Sequence, residues 1–276
     1  MTAAKVLRRI MMTLGNPFES RLSMLTERRT KEIASLSRKK HRDELGQCII
    51  EGARSLESAV DGGAHILEVI VQNGVELDPA LTKRLSQPVY SVDSRTIGKI
   101  SDTRTPSGVV AVVRTRLAER EDIPATGRIL MLDGLQDPGN VGTLIRTAAW
   151  FGVDSVVAGP GTADFFHPKT LRASMGGVWD VRLHATASSA DFLTAMKQHG
   201  RTIWVADMQG VEAASWTPGP NDVLVMGSEA HGVGPWILPI ADGSVGIPRS
   251  NTTATAVESL NVAAAGAVLL SLWATH

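Results

Sequence analysis

"RILMLDGLQDPGNVGTLIRTAAWFG", residues 128 to 152, contains one strand and one helix in a pattern that the rest of the chain repeats. Its first eight residues, mostly apolar, predict a buried strand, and Asp137-Pro138-Gly139 predicts a tight turn. A single apolar helical face follows, formed by Val141, Leu144, Ile145, Ala148 and Ala149. The stretch therefore predicts a strand followed by a helix that packs against it.

The same alternation continues toward the C-terminus. Further strands are predicted at "DSVVAG", "WDVRL", "TIWVAD", "DVLVMG" and "SVGI", and further helices at Pro168–Met175, at "SADFLTAMKQHG" and from near Glu258. Strands that alternate with helices form a mostly parallel sheet with helices on both faces. Ligands of such α/β sheets bind beyond the carboxyl ends of the strands. We therefore expect one α/β domain over residues 128–276, with its site at that edge.

A smaller α/β domain is predicted before it, over residues 35–113. "CIIEGARSLESAVDGGAHILEVIVQ", from Cys48, predicts a strand, a helix, a Gly-Gly turn and a second strand, and "GVVAVV", residues 108–113, predicts another. Residues 114–127 are polar and contain proline and glycine, which is typical of a linker.

Composition limits the class of protein. The chain has 276 residues, 43% of them apolar, which is enough for a large core. Its single cysteine, Cys48, excludes an internal disulfide and favours a reducing compartment, so we expect a cytoplasmic protein. The apolar run 262–273 is shorter than the roughly 20 residues of a membrane span, so no membrane association is expected. The basic start, "MTAAKVLRRIMM", also fits an organellar transit peptide.

The net charge is zero, but positive charge is concentrated at the N-terminus. Residues 1–54 contain twelve Lys and Arg against six Asp and Glu, and residues 1–34 are predicted as a basic extension. A phosphate backbone would be attracted to the run Arg28–Gly46. Because Glu32, Asp43 and Glu44 interrupt that run, it equally fits a solvated helix face.

Three predicted strand ends carry glycines and polar side chains. At the first, Asn140 fits the N-cap of the following helix, while Arg146 lies on another face and fits a surface salt bridge. At the second, "LVMGSEAHGVGP" has glycines that permit close approach of a ligand or backbone, and Glu229 fits either a helix cap or a ligand contact. Because His231 has no neighbouring His or Cys, no metal site is predicted.

At the third, "VGIPRSNTTATAVESLNVA", Pro248 ends a strand and the last helix is predicted to begin near Glu258. Ser259 fits the N-cap of that helix, and Asn261 would face the crevice at the strand ends. A nicotinamide-dependent Rossmann enzyme is the weakest alternative, because the G-x-G-x-x-G spacing and the P-loop pattern are both missing.

In this order, the three blocks resemble the SpoU or TrmH-type RNA ribose methyltransferases of the SPOUT superfamily. Asn140 with Arg146, "GSEAHG" at 227–232, and "IP" followed by "SLNVA" each fall on a family motif, as does "RASMGG" from Arg172. The segments "CIIEGARSLESAV" and "TPSGVVAVV" are similar to the small RNA substrate-binding domain that many members carry. The resemblance covers nearly the whole chain after about Ser35.

The resemblance implies a C-terminal trefoil knot, binding of S-adenosylmethionine, and a homodimer with the active site at its interface. It places Gly227, Ile247 and Leu260 where backbone groups hold the cofactor. The polar active-site set that it implies is Asn140, Arg146, Glu229, Ser259 and Asn261. Arg249, where members commonly have an apolar residue, and the longer loop 250–257 imply a different rim of the cofactor or RNA site.

The implied reaction is methyl transfer from S-adenosylmethionine to a ribose 2′-hydroxyl, preferentially in ribosomal RNA. Arg146 would clamp a phosphate and stabilise the developing alkoxide, or act as the base. Ser259 and Asn261 would orient Arg146, the ribose or the knot backbone. Glu229 would order the loop that holds the cofactor. The alternatives are a transfer-RNA methyltransferase, a methyltransferase that confers antibiotic resistance, and a non-catalytic RNA-binding or ribosome-assembly factor on the same scaffold.

Overall fold

The computed structural model describes residues 22–23, 25–249 and 257–275. Most of the predicted basic extension 1–34, and all but the last residue of the loop 250–257, lie outside these residues. The chain divides into two compact units after Arg114, called here the N-terminal unit and the C-terminal unit. None of the described helices is long and apolar enough to cross a membrane.

The N-terminal unit is a five-stranded mixed sheet with helices, in the strand order β1-β4-β3-β5-β2. Its elements in chain order are β1 (Leu22–Ser23), α1 (Glu27–Ser35), α2 (Lys39–Leu45), β2 (Gln47–Glu51), α3 (Ala53–Asp61), β3 (Ile66–Gln72), α4 (Pro79–Arg84), β4 (Val89–Val92), α5 (Ser94–Ile100) and β5 (Val109–Arg114). The strands predicted at Cys48, before Gln72 and at 108–113 are thereby confirmed as β2, β3 and β5. Their alternate apolar side chains form a core with Ile33, Leu36, Ile97 and Ile100.

The C-terminal unit is a six-stranded sheet flanked by helices, in the order β11-β9-β10-β6-β7-β8, and every strand pair is parallel. Its elements are β6 (Ile129–Asp133), α6 (Pro138–Trp150), β7 (Ser155–Ala158), α7 (Pro168–Ser174), β8 (Arg182–Ala185), α8 (Ser189–Gln198), β9 (Ile203–Glu212), β10 (Val223–Gly227), β11 (Gly243–Gly246) and α9 (Val262–Ala274). The predicted parallel α/β sheet is confirmed. The trefoil knot stays a prediction.

The central strands β6 and β10 are apolar on both faces because the sheet is covered on both faces. Residues 129–132 and 223–226 are all buried. Ile129 and Val225 join Phe192 and Leu193 of α8 in one core cluster. This rigid centre ends, at the carboxyl ends of β6 and β10, in Asp133 and Gly227.

Two helix caps differ from the prediction. Asp137, not Asn140, caps α6, since its Oδ1 accepts from the backbone N–H groups of Gly139 (2.5 Å) and Asn140 (3.0 Å). Proline favours the first helical position, so the helix begins at Pro138 and the residue before it, Asp137, is the N-cap. Asn140 is thereby left inside the first turn, with its side chain free for another role.

The last helix begins at Val262, not near Glu258, and its cap is Asn261, not Ser259. Asn261 Oδ1 accepts from the N–H groups of Ala263 (3.0 Å) and Ala264 (3.2 Å). Residues 257–260 instead line a cavity and have no regular secondary structure. The prediction that Ser259 caps the helix was therefore wrong.

Helices α6 and α9 lie against each other at a glycine. A Cβ on Gly266 would lie 2.3 Å from Leu144 Cδ2, so a larger residue there would require the Leu144 side chain to move. The close approach brings the first turns of the two helices, with Asn140 and Asn261, to the same edge of the sheet.

The segment predicted as a linker is bound along the C-terminal unit. The guanidinium of Arg201, a buried side chain, donates to the carbonyl oxygens of Pro124 (2.5 Å), Gly127 (2.6 Å) and Asn221 (2.8 Å). Ala118 donates its N–H to the carbonyl oxygen of Leu183 (2.8 Å). Residues 115–127 are therefore attached to the C-terminal unit, in part at its edge strand β8.

Candidate functional site

A cavity of about 670 Å³ opens at the carboxyl ends of β10 and β11, beside the middle of β9. Its walls come from residues 206–208, 226–230 with 232–233, 245–249, 257–260 and the inner side of α9. All of these belong to the C-terminal unit. The site therefore lies where a parallel sheet is expected to bind ligands.

The three residues that the resemblance assigns to the cofactor, Gly227, Ile247 and Leu260, all line this cavity. Leu260 is half exposed, while Val262 and Leu269 behind it are buried. The walls are thus largely apolar and interrupted by backbone groups, which is the composition typical of small-molecule sites.

Gly227 is required by the way the following loop folds back. The turn closes with two 2.9 Å hydrogen bonds between the backbones of Ser228 and Gly232. A Cβ on Gly227 would lie 2.1 to 2.3 Å from the backbone of Gly232 and Val233. Any side chain at 227 would therefore push this turn, which forms one wall of the cavity, out of place.

Three distant segments meet through the side chain of Asn140. Its Nδ2 donates to Oε1 of Glu229, and its Oδ1 accepts from Nδ2 of Asn261 at 3.1 Å. The partners are 89 and 121 residues away in the sequence. We call Asn140, Glu229 and Asn261 the amide cluster.

The chemistry of the cluster fixes the direction of both amides. Because Asn261 uses Oδ1 for the helix cap, its NH₂ group must face Asn140, which presents its oxygen. The NH₂ group of Asn140 then faces Glu229, whose carboxylate accepts. Glu229 and Asn261 are exposed and Asn140 is half-buried, so the cluster is open to a ligand on its outer side.

Ser259 and Arg146, the other two members of the predicted polar set, occupy different places. Ser259 is exposed and lines the cavity. Arg146 lies outside the cavity, about 9 Å along α6 and about 120° around it from Asn140. No hydrogen bond or ion pair joins its guanidinium to another described residue, so it forms no surface salt bridge there.

The "RASMGG" segment explains how the helix turn at Arg146 is supported. A Cβ on Gly177 would lie 3.0 Å from Cα of Arg146, and a Cβ on Gly142 would lie 2.4 Å from the carbonyl oxygen of Thr170. Glycines thus let α6 and the segment after α7 lie against each other, while the Arg146 side chain points to solvent.

Charge near the first turn of α6 is balanced locally. Nζ of Lys169 lies 2.8 Å from Oδ2 of Asp137, and this contact, helped by the Asn140 N–H, lowers the pKa of the Asp137 carboxyl. The carboxylate therefore stays ionised as a cap. In the part of the chain that the structure describes, no His, Cys, Asp and Glu side chains are grouped so as to hold a metal ion.

Sequence reasoning missed the wall contributed by β9. The strand was predicted to end at Asp207 but continues to Glu212, and Ala206, Asp207 and Met208 line the cavity. Met208 is 72% exposed at the rim. Gly210 is the available signal, because a Cβ there would lie 2.5 Å from the backbone of Ser244, so the two strands need glycine to approach.

Two family models match the chain. The SpoU rRNA Methylase family matches residues 127–271, and the MRM3-like substrate binding domain matches residues 27–111. The first covers more than half of the chain and includes the cavity and the amide cluster.

Similar proteins span nearly the same length. A Bacillus subtilis protein, 23S rRNA (guanosine(2553)-2'-O)-methyltransferase RlmP, is 29% identical over 88% of this chain and 94% of its own. An uncharacterized tRNA/rRNA methyltransferase of Synechocystis sp. is 31% identical over 87% and 88%.

Solved structures have the same architecture. A putative RNA methyltransferase of the TrmH family from Porphyromonas gingivalis superposes with a TM-score of 0.79 at 31% identity, over 91% of this chain and 98% of that one. An AdoMet-bound rRNA methyltransferase from Sinorhizobium meliloti gives 0.79 at 29% identity, over 91% and 95%.

Proposed function

This chain belongs to the SpoU rRNA methylase family, and on that premise we propose that it transfers a methyl group from S-adenosylmethionine to a ribose 2′-hydroxyl of ribosomal RNA. The observation that carries the proposal is the amide cluster. Three family motifs, far apart in sequence, are joined by Asn140 beside one cavity. The rRNA 2'-O-methyltransferase of Bacillus subtilis, similar along nearly its whole length, supports ribosomal RNA as the substrate.

The cavity fits the cofactor. Its volume of about 670 Å³ lies within the range of roughly 300–1,000 Å³ of small-molecule sites. Backbone groups of Gly227, Ile247 and Leu260 would hold the cofactor between the apolar side chains of the wall. When bound, S-adenosylmethionine supplies a methyl group activated by a positively charged sulfur.

The protein's main task in such a displacement is alignment, which can lower a barrier by roughly 7–11 kcal/mol. In our proposal, Glu229 orders the loop that forms the cavity wall. Asn140 and Asn261, whose amides are fixed in direction by their partners, orient the ribose beside it. Ser259 contributes a hydroxyl at the cavity edge.

Arg146 would clamp an RNA phosphate and stabilise the negative charge that develops on the 2′-oxygen. Its guanidinium keeps its proton, and its five N–H groups match phosphate oxygens. It has no ion pair among the described residues that would compete. Since it lies apart from the amide cluster of its own chain, we propose that a second copy brings its Arg146 to the site.

The exposed side of α9 supports this homodimer. The helix, residues 262–274, contains no charged residue. Ala264 and Val268, four residues apart on one face of the helix, are both exposed, Val268 to 41%, and Leu260, just before the helix, is 51% exposed. An uncharged helical face beside the site is the surface that a second copy would cover. The N-terminal unit, in which residues 27–111 match the substrate-binding domain, would bind the RNA substrate.

The first experiment measures binding and methyl transfer by the full-length protein. Calorimetry with S-adenosylmethionine should show binding, and mapping of ribose methylation in ribosomal RNA incubated with protein and cofactor should show a new 2′-O-methyl group. If the protein binds no cofactor, the result favours the non-catalytic assembly factor. If only transfer RNA is methylated, transfer RNA and not ribosomal RNA is the substrate.

A subunit-mixing experiment tests the shared site. Arg146→Ala and Asn140→Ala proteins should each lose methyl transfer, and Arg146→Ala should still bind cofactor and dimerise. Mixed in equal amounts, unfolded and refolded together, they should regain about a quarter of wild-type activity if each site combines Arg146 of one copy with the amide cluster of the other. No recovery, despite heterodimers, would contradict a site shared in this way.

A further inference from the structure

We propose that Asp133, to which the family resemblance assigns no role, is a positioning residue that holds the loop Ser228–Gly234 in its cofactor-binding shape. The inference rests on the proposed function, because this loop forms one wall of the proposed cofactor site. It adds a second, buried attachment for the loop beneath the exposed one made by the amide cluster.

Asp133 is the last residue of β6, and only 6% of it is exposed. Its Oδ2 accepts from the backbone N–H of Gly234 at 2.8 Å, a contact across 101 residues. Gly234 is the last residue of the loop. The loop begins after Gly227, the last residue of β10, and Gly227 pairs with Asp133 in the sheet. The carboxylate therefore joins the end of the loop to the strand next to the one from which the loop emerges.

The other oxygen of the carboxylate is also occupied. Oδ1 of Asp133 accepts from Oγ of Ser189, a buried residue at the start of α8, at 2.6 Å. Since the Ser189 hydroxyl fixes one oxygen, the other is aimed at Gly234 without freedom to rotate. A carboxylate buried with two donors is a stable anchor, whereas one left with a single donor would lose both orientation and compensation for burial.

Gly159 provides an independent sign that this pair is fixed in space. A Cβ on Gly159 would lie 2.5 Å from Oγ of Ser189 and 3.1 Å from Oδ1 of Asp133. Its backbone is held by a 2.8 Å hydrogen bond from its N–H to the carbonyl oxygen of Leu132. The strand end after β7 thus closes over the pair only because residue 159 has no side chain.

At this end the loop is also held by Val233, which packs against the core cluster, and by the carbonyl oxygen of Gly234, which accepts from the N–H of Ile237 at 2.9 Å. Its middle is attached by the Ser228–Gly232 bridge and, on the solvent side, by Glu229 to Asn140. Residues 228 to 231 are at least partly exposed. Without the bond from Asp133, only Val233 and the Gly234 carbonyl would hold this end, so the exposed part of the loop would become more mobile and cofactor binding would have to order it.

Asp222 offers a matched control at the opposite end of the neighbouring strand. It is 7% exposed and also accepts one side-chain and one backbone hydrogen bond, from Nε1 of Trp204 (3.0 Å) and the N–H of Gly219 (2.7 Å). It precedes β10 and is separated from Gly227 by about 16 Å of strand. Loss of this carboxylate should destabilise the unit without touching the cavity.

The experiment compares Asp133→Ala with Asp222→Ala in the full-length protein, by thermal unfolding, by calorimetry with S-adenosylmethionine and by methyl-transfer kinetics. Both variants should lower Tm. Asp133→Ala should weaken cofactor binding about tenfold or more and raise the cofactor KM in proportion, with kcat at saturating cofactor within about threefold. Asp222→Ala should keep the wild-type affinity. Asp133→Asn retains an oxygen for Gly234 and should restore most of the affinity.

Two milder variants keep the carboxylate and test the proposal should Asp133→Ala fail to fold. Ser189→Ala removes the hydroxyl, and Gly159→Ala displaces it by contact. Both should weaken cofactor binding by a factor between those of Asp133→Asn and Asp133→Ala. Two results would show that this inference is wrong while the proposed function stands, provided that wild type binds cofactor. One is that Asp133→Ala, like Asp222→Ala, binds cofactor as tightly as wild type. The other is that both milder variants do so. If wild type binds no cofactor, both fail.

Discussion

At the amino ends of the strands in the C-terminal unit, three tryptophans pack together, while at the carboxyl ends glycines and amides surround a cavity. Trp216, only 1% exposed, lies 5.9 Å from Trp204 and 6.0 Å from Trp273, measured between ring centroids. Arg128 lies 5.9 Å from the ring centroid of Trp273 and donates to its carbonyl oxygen at 3.0 Å. At the carboxyl end, by contrast, Glu229, Ser259 and Asn261 are exposed and Asn140 is half-buried.

This difference indicates a division of labour along the same strands. Large buried side chains at the amino end supply free energy of folding, because stabilisation scales with buried apolar area. The carboxyl end instead keeps polar groups with unused donors and acceptors, which folding alone would not favour. We therefore expect mutations at the amino end to change stability and those at the carboxyl end to change activity.

The largest effect should come from Trp216→Ala. Removing this fully buried ring leaves a cavity between two other tryptophans and should lower the free energy of unfolding by about 3–5 kcal/mol. Denaturant unfolding measures the change, and cofactor affinity below the transition should stay at the wild-type value. Loss of affinity in the folded protein would break the proposed separation.

Trp216→Phe is the control for this substitution. The indole Nε1 is buried and has no hydrogen-bond partner among the described residues, so its loss removes no bond. An aromatic ring that fills most of the space should retain most of the stability. A loss as large as that of alanine would mean that ring size, rather than burial alone, holds the cluster together.

An intermediate effect is expected from Asn140→Asp at the other end. The new carboxylate can still accept from Asn261 but must face the Glu229 carboxylate, so the hydrogen bond between residues 140 and 229 is lost and the two carboxylates repel. Methyl transfer should fall at least tenfold, with little change in Tm because Glu229 and Asn261 are exposed and Asn140 is only half-buried. Asn221→Asp is the isosteric control, since Asn221 only accepts there, from the Gly127 N–H at 2.7 Å. It should leave activity unchanged.

The smallest effect sharpens the comparison at the sheet edge, on β8. His184 is buried, its Nδ1 lies 3.1 Å from the carbonyl oxygens of Ala118 and Glu119, and its Nε2 has no partner among the described residues. Burial lowers the pKa of His184. The unfolded chain therefore takes up this proton at a higher pH than the folded chain, and falling pH favours unfolding.

Stability of the C-terminal unit should thus be unchanged above pH 7 and should decline below about pH 6.5, by at most about 1.4 kcal/mol per pH unit from this group. Denaturant unfolding at several pH values measures the slope. His184→Gln, which does not titrate, should flatten it, and His199→Gln, at an exposed position after α8, serves as the control. An identical slope in His184→Gln would exclude His184 as its source.

Sequence periodicity predicted the parallel sheet, because alternation of strands and helices is a local property. Boundaries depended on competition between neighbours. Asp137 and Asn140 both suit an N-cap, and Pro138 was the available signal that the first would prevail. The strand predicted at 179–183 lies at Arg182–Ala185. Residues 177–179 form a 3₁₀ turn instead, and the apolar pattern does not predict this turn.

The site was predictable as a set of residues but not as an arrangement. Family motifs identified Glu229 and Asn261, yet their contacts through Asn140 join positions about a hundred residues apart, which local patterns cannot reveal. Asp133 shows the same limit more strongly. At the end of an apolar strand it has no local feature that distinguishes it from an ordinary turn residue, and its partners, Ser189 and Gly234, come from two other segments.

The long strand β9 passes from the rigid centre of the sheet into the wall of the cavity. Its first residues can therefore serve as a reference for those that follow. Residues 203–205 pair with β10 in the rigid centre of the sheet, while Ala206, Asp207 and Met208 belong to the cavity wall. In amide hydrogen exchange the first group reports opening of the whole sheet, and the second reports what occupies the cavity. One continuous strand can therefore separate ligand occupancy from global stability within a single peptide segment.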